Sequence, residues 1–283
     1  MLFSMFQSKK NSAANERKHT GKKEELFISV ASNVGKICSD NEDNFYVDEI
    51  GCRRERNCSA KVVLDSSKRH IFAVCDGMGG EAFGEEASRI AVMVLSEFRE
   101  QMYTSKISQL SNEVNRYSNE ANRQICQMVK EKRCKRSGST LAMVCIDHDR
   151  AYAYNLGDSR VYYWQNGKLK QITEDQTLAV KKMKANIYTE EEAKNSPDSH
   201  KITSFLGVDN REIGLTALSY PSFKVGNGKI LICSDGLTDM CSDKEIADIL
   251  SLESRDVSNL LVEKAIINGG IDNITCIVIQ SGD

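Results

Sequence analysis

Acidic side chains in this sequence stand where apolar runs stop. Ile71–Cys75 ends in Asp76-Gly77, and Lys229–Cys233 ends in Ser234-Asp235-Gly236. Asp158 sits in the Gly157–Arg160 turn, Asp272 precedes the run Ile274–Ile279, and Glu42 and Asp43 bring the set to six. A strand end holds a side chain rigidly while leaving it open to solvent, which suits a metal ligand. Any one of these acids is explained as well by the preference of Asp for turns and helix caps; the repeated context is what points to a site. Oxygen-only ligands select hard cations, Mg²⁺ or Mn²⁺, over zinc. The histidines, at 19, 70, 148 and 200, show no metal-ligand spacing. Gly77 and the Gly79-Gly80 pair would let a metal or phosphate approach the backbone, although a tight turn also accounts for them. The chain contains neither a P-loop nor a dinucleotide fingerprint after a strand, which disfavours nucleotide-driven transfer.

The elements that must hold these acids follow from periodicity. Leu26–Val30 and Ile71–Cys75 read as strands, the second buried and ending in a turn. Ala87, Ile90, Ala91, Val94 and Phe98 recur at helical spacing, and a second helix is expected over roughly 107–132. Leu141–Ile146, Ala151–Leu156 and Val161–Trp164 form an antiparallel meander, separated by turns at Asp147–Arg150 and Gly157–Arg160. Residues 175–205 are polar and lysine-rich, which predicts short helices in a mobile excursion. Strand Lys229–Cys233, helices Asp243–Leu250 and Val257–Asn268 and strand Ile274–Ile279 complete the pattern. Strands and helices are segregated, which favours an α+β fold. With only Pro197 and Pro221 and no internal repeat, one domain is expected over 25–283, after a basic tail at 1–24 whose local charge is +4.

A chain of 283 residues that is 40% hydrophobic and 28% charged can bury a large core. Its net charge of −2 argues against a globally basic nucleic-acid binder but leaves room for a local basic patch. The ten cysteines are scattered, with no Cys-x-x-Cys pair and no signal core before them, so reduced thiols and a cytoplasmic address are expected. No apolar run is long enough to span a membrane.

Seven segments then occur in one order: Asn41-Glu42-Asp43, Val74–Gly80 followed by Gly84-Glu85, Ser137–Thr140, Asn155–Arg160, Leu169–Asp175, Cys233–Asp239 and Asp272–Thr275. From about Glu25 onward the chain resembles the metal-dependent Ser/Thr protein phosphatases of the protein phosphatase 2C type (the PPM family), in the form usual for bacteria. The resemblance implies a β-sandwich of two antiparallel sheets flanked by helix pairs, four layers in all, with a dinuclear Mn²⁺ or Mg²⁺ centre at one end. By match to the family motifs, Asp76 would bridge both ions. The Gly77 carbonyl and Glu42 would complete one site, Asp235 and Asp272 the other, and Asp43 would stand behind them. Asp158 and Asp239, with Asp235 shared, resemble a third, weaker site. A water between the ions would attack phosphorus in line without a covalent phosphoenzyme. The implied partners are phosphorylated substrates of a Ser/Thr kinase, acted on by a monomer.

The chain departs from the family pattern in places. Where many members carry a phosphate-binding Arg, three residues before Asn41, this sequence has Cys38. A thiol cannot make the bidentate contact of a guanidinium, and Arg53, Arg54 or Arg56 would have to supply it, unless they simply form a solvated basic loop. Glu81 and Gln176 replace two usual histidines, and Met78 stands where eukaryotic members often place a His proposed as general acid, so protonation of the leaving alkoxide falls to water. Two alternatives stay open: a pseudophosphatase that binds phosphoproteins, which the intact acidic set argues against, and a hydrolase of small phosphoesters.

Overall fold

The computed structural model describes residues 25–282 except 54, 80–82, 135 and 210–214, so the expected tail at 1–24 lies outside the described residues. Strands β1 (Glu25–Asn33), β2 (Asn44–Val47), β3 (Gly51–Cys52), β4 (Cys58–Asp65), β5 (His70–Cys75) and β6 (Gly77–Gly79) precede two long helices, α1 (Phe83–Thr104) and α2 (Leu110–Lys132). Strands β7 (Ser137–Ser139), β8 (Leu141–Asp147), β9 (Arg150–Leu156), β10 (Arg160–Gln165) and β11 (Lys168–Gln171) follow, then helices α3 (Leu178–Lys184) and α4 (Glu190–Asn195). The remainder holds β12 (Leu218–Ser219), β13 (Phe223–Lys224), β14 (Lys229–Cys233), α5 (Asp235–Thr238), α6 (Asp243–Leu250), α7 (Val257–Asn268) and β15 (Ile274–Ser281).

These strands make two antiparallel sheets. One has the order β11-β10-β14-β15-β1-β4; the other runs β12-β9-β8-β5-β2-β3, with β13 also on β9, and β6 and β7 form a separate ribbon. Side-chain alternation explains why the central strands are apolar without interruption. In β5, Phe72 and Val74 enter the core between the sheets, while Ile71, Ala73 and Cys75 pack toward α1 and α2. In β14, Ile230 and Ile232 face the other sheet, and Leu231 and Cys233 face the helices α5–α7. A strand covered on both faces must be apolar on both, and each such Ile or Leu contributes about 1.5–3 kcal/mol through burial. The result is the expected α-β-β-α stack. Helix α2 buries Leu110, Val114, Tyr117, Ala121, Ile125 and Met128 at spacings of three and four residues, then ends at Arg133 in the left-handed region (φ 55°).

Several strands were not expected from periodicity, β4 and β2 among them. Strand β4 lies at a sheet edge, turning Cys58, Ala60, Val62 and Leu64 toward the core between the sheets and leaving Ser59, Lys61 and Val63 exposed. Strand β2 is only four residues long and buried throughout. The 175–205 segment does form short helices. Thr177 caps α3, a reciprocal Thr189–Glu192 pair caps α4, and a 3₁₀ turn spans Pro197–His200. Among the described residues no helix is long and apolar enough to cross a membrane.

Candidate metal centre

The strand ends and turns converge on one open cleft of about 1160 Å³, lined by Glu42, Asp76, Gly77, Asp158, Asp235 and Asp272 together with Cys38. Asp239 lies in an adjoining depression that shares Asp158, Asp235 and His200 with the cleft. Asp43 is buried behind them.

Hydrogen bonds fix each acid from the backbone outward. The Asp76 N–H donates to Thr140 Oγ1 at 2.9 Å, and the Thr140 N–H donates to the Asp76 carbonyl at 2.8 Å. Thr140 in turn meets Ser159 Oγ at 2.6 Å, so the Ser137–Thr140 and Asn155–Arg160 segments brace the end of β5. Asn273 joins the other two segments. Its Oδ1 accepts from the Glu42 N–H at 2.6 Å, and its Nδ2 donates to the carbonyls of Val34 and Asp40 at 2.9 and 3.0 Å. Ser234 Oγ donates to Asp43 Oδ2 at 2.7 Å and accepts from the Thr275 N–H at 3.0 Å, tying the ends of β14 and β15 to the Asn41–Asp43 turn. Two glycines let the loops meet. A Cβ on Gly77 would stand 2.1 Å from the Gly84 carbonyl, and one on Gly84 would stand 2.2 Å from Glu42 Oε2.

Burial, followed by crowding of like charge, sets the electrostatics. Burial, then Asp272 and Glu85, push Glu42 up to about 7. Burial and Asp239 push Asp235 up to about 6. Asp76 is raised well above the carboxylate range by burial, Asp235, Asp43 and Asp158, and Asp158 is raised by burial, Asp235 and Asp175. Burial also lifts Asp43 to about 7, against hydrogen bonds from Ser234 and Thr275. Such a cluster ionises fully at neutral pH only against positive charge. The donor set fits a hard cation: it is oxygen throughout, and the buried Asp158 Oδ1 has no hydrogen-bond partner.

His200, which has no metal-ligand spacing in sequence, is brought to the adjoining depression by the 3₁₀ turn. Its Nδ1 is 3.8 Å from Asp239 Oδ2, and ligand atoms of His200, Asp235 and Asp239 lie within 4.8 Å of one another. Only a long-range contact makes this group, so no local motif could have shown it.

The arginines expected as replacements for position 38 do not reach the cleft in the described residues. Arg53 is buried, with its guanidinium committed to the carbonyls of Asp43 (2.7 Å), Asn41 (2.7 Å) and Glu55 (2.8 Å) and to Glu85 (3.2 Å). It clamps the turn that carries Glu42 with four of its five N–H donors and does not line the cleft, contrary to the expectation. Arg56 is exposed and does not line the cleft, and its carbonyl accepts from Asn41 Nδ2 at 2.6 Å. Arg54 lies outside the described residues. Cys38 lines the cleft, with Sγ 3.6 Å from Asp272 Oδ1. Two cations that sequence reading missed, Arg136 and Lys201, line it as well.

Comparison with known proteins agrees with this fold. A family model described as protein phosphatase 2C matches residues 57–261. The serine/threonine phosphatase stp of Listeria welshimeri is 29% identical over 241 residues, 83% of this chain and 94% of that one. The structure of the serine/threonine phosphatase Stp1 from Staphylococcus aureus superposes with a TM-score of 0.77 at 25% identity, over 90% of this chain and 95% of that one. The catalytic domain of the serine/threonine protein phosphatase PstP, solved in complex with two manganese ions, gives a TM-score of 0.71 at 26% identity, over 92% and 100% of the respective chains.

Proposed function

The chain belongs to the protein phosphatase 2C family as a protein serine/threonine phosphatase, and from that premise we propose that it hydrolyses phosphoserine and phosphothreonine in proteins with two Mn²⁺ or Mg²⁺ ions held by the carboxylate cleft. The observation that carries this reading is the gathering of Glu42, Asp76, Asp158, Asp235 and Asp272 on one cleft wall system, with the pKa values of Glu42, Asp76, Asp158 and Asp235 raised by burial and mutual repulsion. Asp76 is the proposed bridge, with Glu42 and the Gly77 carbonyl on one side and Asp235 and Asp272 on the other. Asp158 and Asp239, with Asp235, are the proposed ligands of a third, weaker ion. The PstP structure with two manganese ions supports the cation count by likeness.

When bound, the ions supply a water of lowered pKa and positive charge against the phosphoryl oxygens. The chain's own part is preorganisation. Thr140 holds the Asp76 backbone at both its N–H and its carbonyl, and Asn273 holds Glu42, so neither carboxylate need reorganise as charge develops at phosphorus. Met78 follows Gly77 along the cleft and has no proton to give, so the leaving alkoxide takes its proton from solvent. A Ser/Thr kinase in the same compartment, proposed to be the cytoplasm, would supply the substrates.

The test is turnover of a phosphothreonine peptide with Mn²⁺, before and after EDTA, for the wild-type protein and Asp76→Asn. We expect EDTA to abolish turnover, Mn²⁺ to restore it, and Asp76→Asn to lower kcat at least about a hundredfold, as for losing roughly 3 kcal/mol of electrostatic stabilisation. Full activity after exhaustive chelation refutes the metal reading. Calorimetric Mn²⁺ titration reads the site without activity.

A further inference from the structure

From Lys130 to Arg136 the chain places Lys130, Lys132, Arg133, Lys135 and Arg136 against the single acid Glu131. Lys130, Lys132, Arg133 and Arg136 are exposed, and none has an ion-pair partner among the described residues. The carboxylate whose field Lys132 shares, Glu86, is already forked by Arg89 at 2.6 and 2.9 Å. The helix macrodipole accounts for Lys130 and Lys132 in the last turn of α2. It does not account for Arg136, which lies beyond the helix end and on the rim of the catalytic cleft.

Arg136 is held there by stacking, its guanidinium 4.9 Å from the Phe205 ring centroid. The same side chain lines a second groove of about 540 Å³, walled by Val129, Lys130, Ile202, Phe205, Val208 and one acid, Asp209. Arg136 and Ile202 thus belong to both the cleft and the groove. The other long cation at the cleft, Lys201, is paired with Asp198 at 2.8 Å. Arg136 is therefore a guanidinium free to pair with something that enters, on a wall system otherwise dominated by carboxylates.

Resting on the phosphatase reading above, we propose that this basic rim selects the substrate segment: a carboxylate flanking the phosphoresidue pairs with Arg136, and the chain beyond it lies along the groove toward Lys130 and Arg133. Continuity of the patch with the cleft favours an acidic peptide over an unrelated polyanion, because a segment tethered by its phosphoresidue must pass one of the cleft rims. A guanidinium stacked on a ring is preorganised for a carboxylate fork.

The experiment measures kcat/KM for phosphothreonine peptides identical except for Asp or Gln at each of the three positions on either side. The wild-type protein, Arg136→Ala, Arg136→Glu and Arg133→Ala are compared at low and high salt, with para-nitrophenyl phosphate as a small substrate. We expect the wild-type protein to prefer an Asp-flanked peptide at one or more positions by about fivefold or more, the preference fading with salt as an exposed ion pair does. Arg136→Ala should bring that ratio close to one, and Arg136→Glu should shift preference to a Lys-flanked peptide. Absence of preference in the wild-type protein, or a ratio that survives Arg136→Ala, overturns the proposal. So does a loss in Arg136→Ala that is equal for every peptide and for para-nitrophenyl phosphate, which would make Arg136 a ligand of the phosphate itself. An oligonucleotide that inhibits strongly while the peptide ratio stays at one would assign the patch to nucleic acid and overturn it too. Wild-type turnover of para-nitrophenyl phosphate reports on the phosphatase reading separately.

Discussion

Gly84 and Glu42 approach so closely that a Cβ on Gly84 would lie 2.2 Å from Glu42 Oε2. The first turn of α1 therefore sets where the Glu42 carboxylate can go. Gly84→Ala should leave the helix intact, since alanine is the better helix former, yet push Glu42 out of place. Residues that position a ligand typically cost 10–100-fold in metal affinity when changed, so Mn²⁺ binding by calorimetry should weaken about tenfold or more. Unchanged affinity would show that Glu42 holds no ion.

Metal-free protein should lose stability as pH rises. Glu42 and Asp43 keep their protons up to about pH 7 and Asp235 up to about 6, whereas the unfolded chain releases them near the ordinary carboxylate value of about 4. Between those limits the native state binds more protons than the unfolded one, so its stability falls as pH rises through that window. Scanning calorimetry should find a Tm that drops from pH 5 to pH 8 in EDTA and recovers at pH 8 with Mn²⁺. A pH profile untouched by Mn²⁺ would contradict this.

Asp158→Ala and Asp239→Ala should separate the inner ions from the outer one. Both acids stand on the side shared with His200, so two tighter Mn²⁺ ions should remain by titration while kcat falls. Loss of all metal binding in Asp158→Ala would refute the division.

Cys38→Arg should lower KM for phosphopeptides, by up to about tenfold if one charge-assisted pair of roughly 1.5 kcal/mol is gained. Because Sγ lies 3.6 Å from Asp272 Oδ1, the new guanidinium could instead be captured by Asp272. KM would then stay flat and Mn²⁺ affinity would fall, which the two measurements distinguish.

Arg53→Met should act on stability rather than on substrate. It deletes four donated hydrogen bonds, among them those to the Asn41 and Asp43 carbonyls, and should cost about 2–4 kcal/mol by denaturant titration. A raised KM with unchanged stability would return Arg53 to the role of phosphate ligand.

The parts of the molecule that sequence made legible are those where chemistry and periodicity coincide. Ile71–Cys75 before Asp76 and Lys229–Cys233 before Asp235 are buried on both faces, so the apolar run and the acid that ends it mark the strand and its functional end together. Ser137–Thr140 could be matched as a motif, but that Thr140 locks Asp76 from both sides depends on a pairing of β5 with β8 that no local pattern encodes. Arg53 misled for a related reason. An arginine in a polar loop reads as solvated, and only the tertiary fold shows carbonyls turned inward toward it. His200 and Arg136 come to the cleft through contacts remote in the chain, and neither lies in an apolar period that would have placed it.

Strand β15 lies between β14 and β1 in its sheet, pairing Leu26 with Ser281 at one end and Asn33 with Ile274 at the other. Among the described strands β1 is first in chain order and β15 last, so their pairing joins Ser32 and Thr275 across 243 positions of the chain. Until β15 arrives, β1 and β14 each present an unpaired edge, and Asp272 and Asn273, just ahead of β15, have no frame to stand on. Assembly of this sheet is therefore a late, long-range event, expected to be slow, and the centre forms in the same step that closes the sheet. A chain cut before Asp272 is therefore expected to lack both the closed sheet and one wall of the carboxylate cleft.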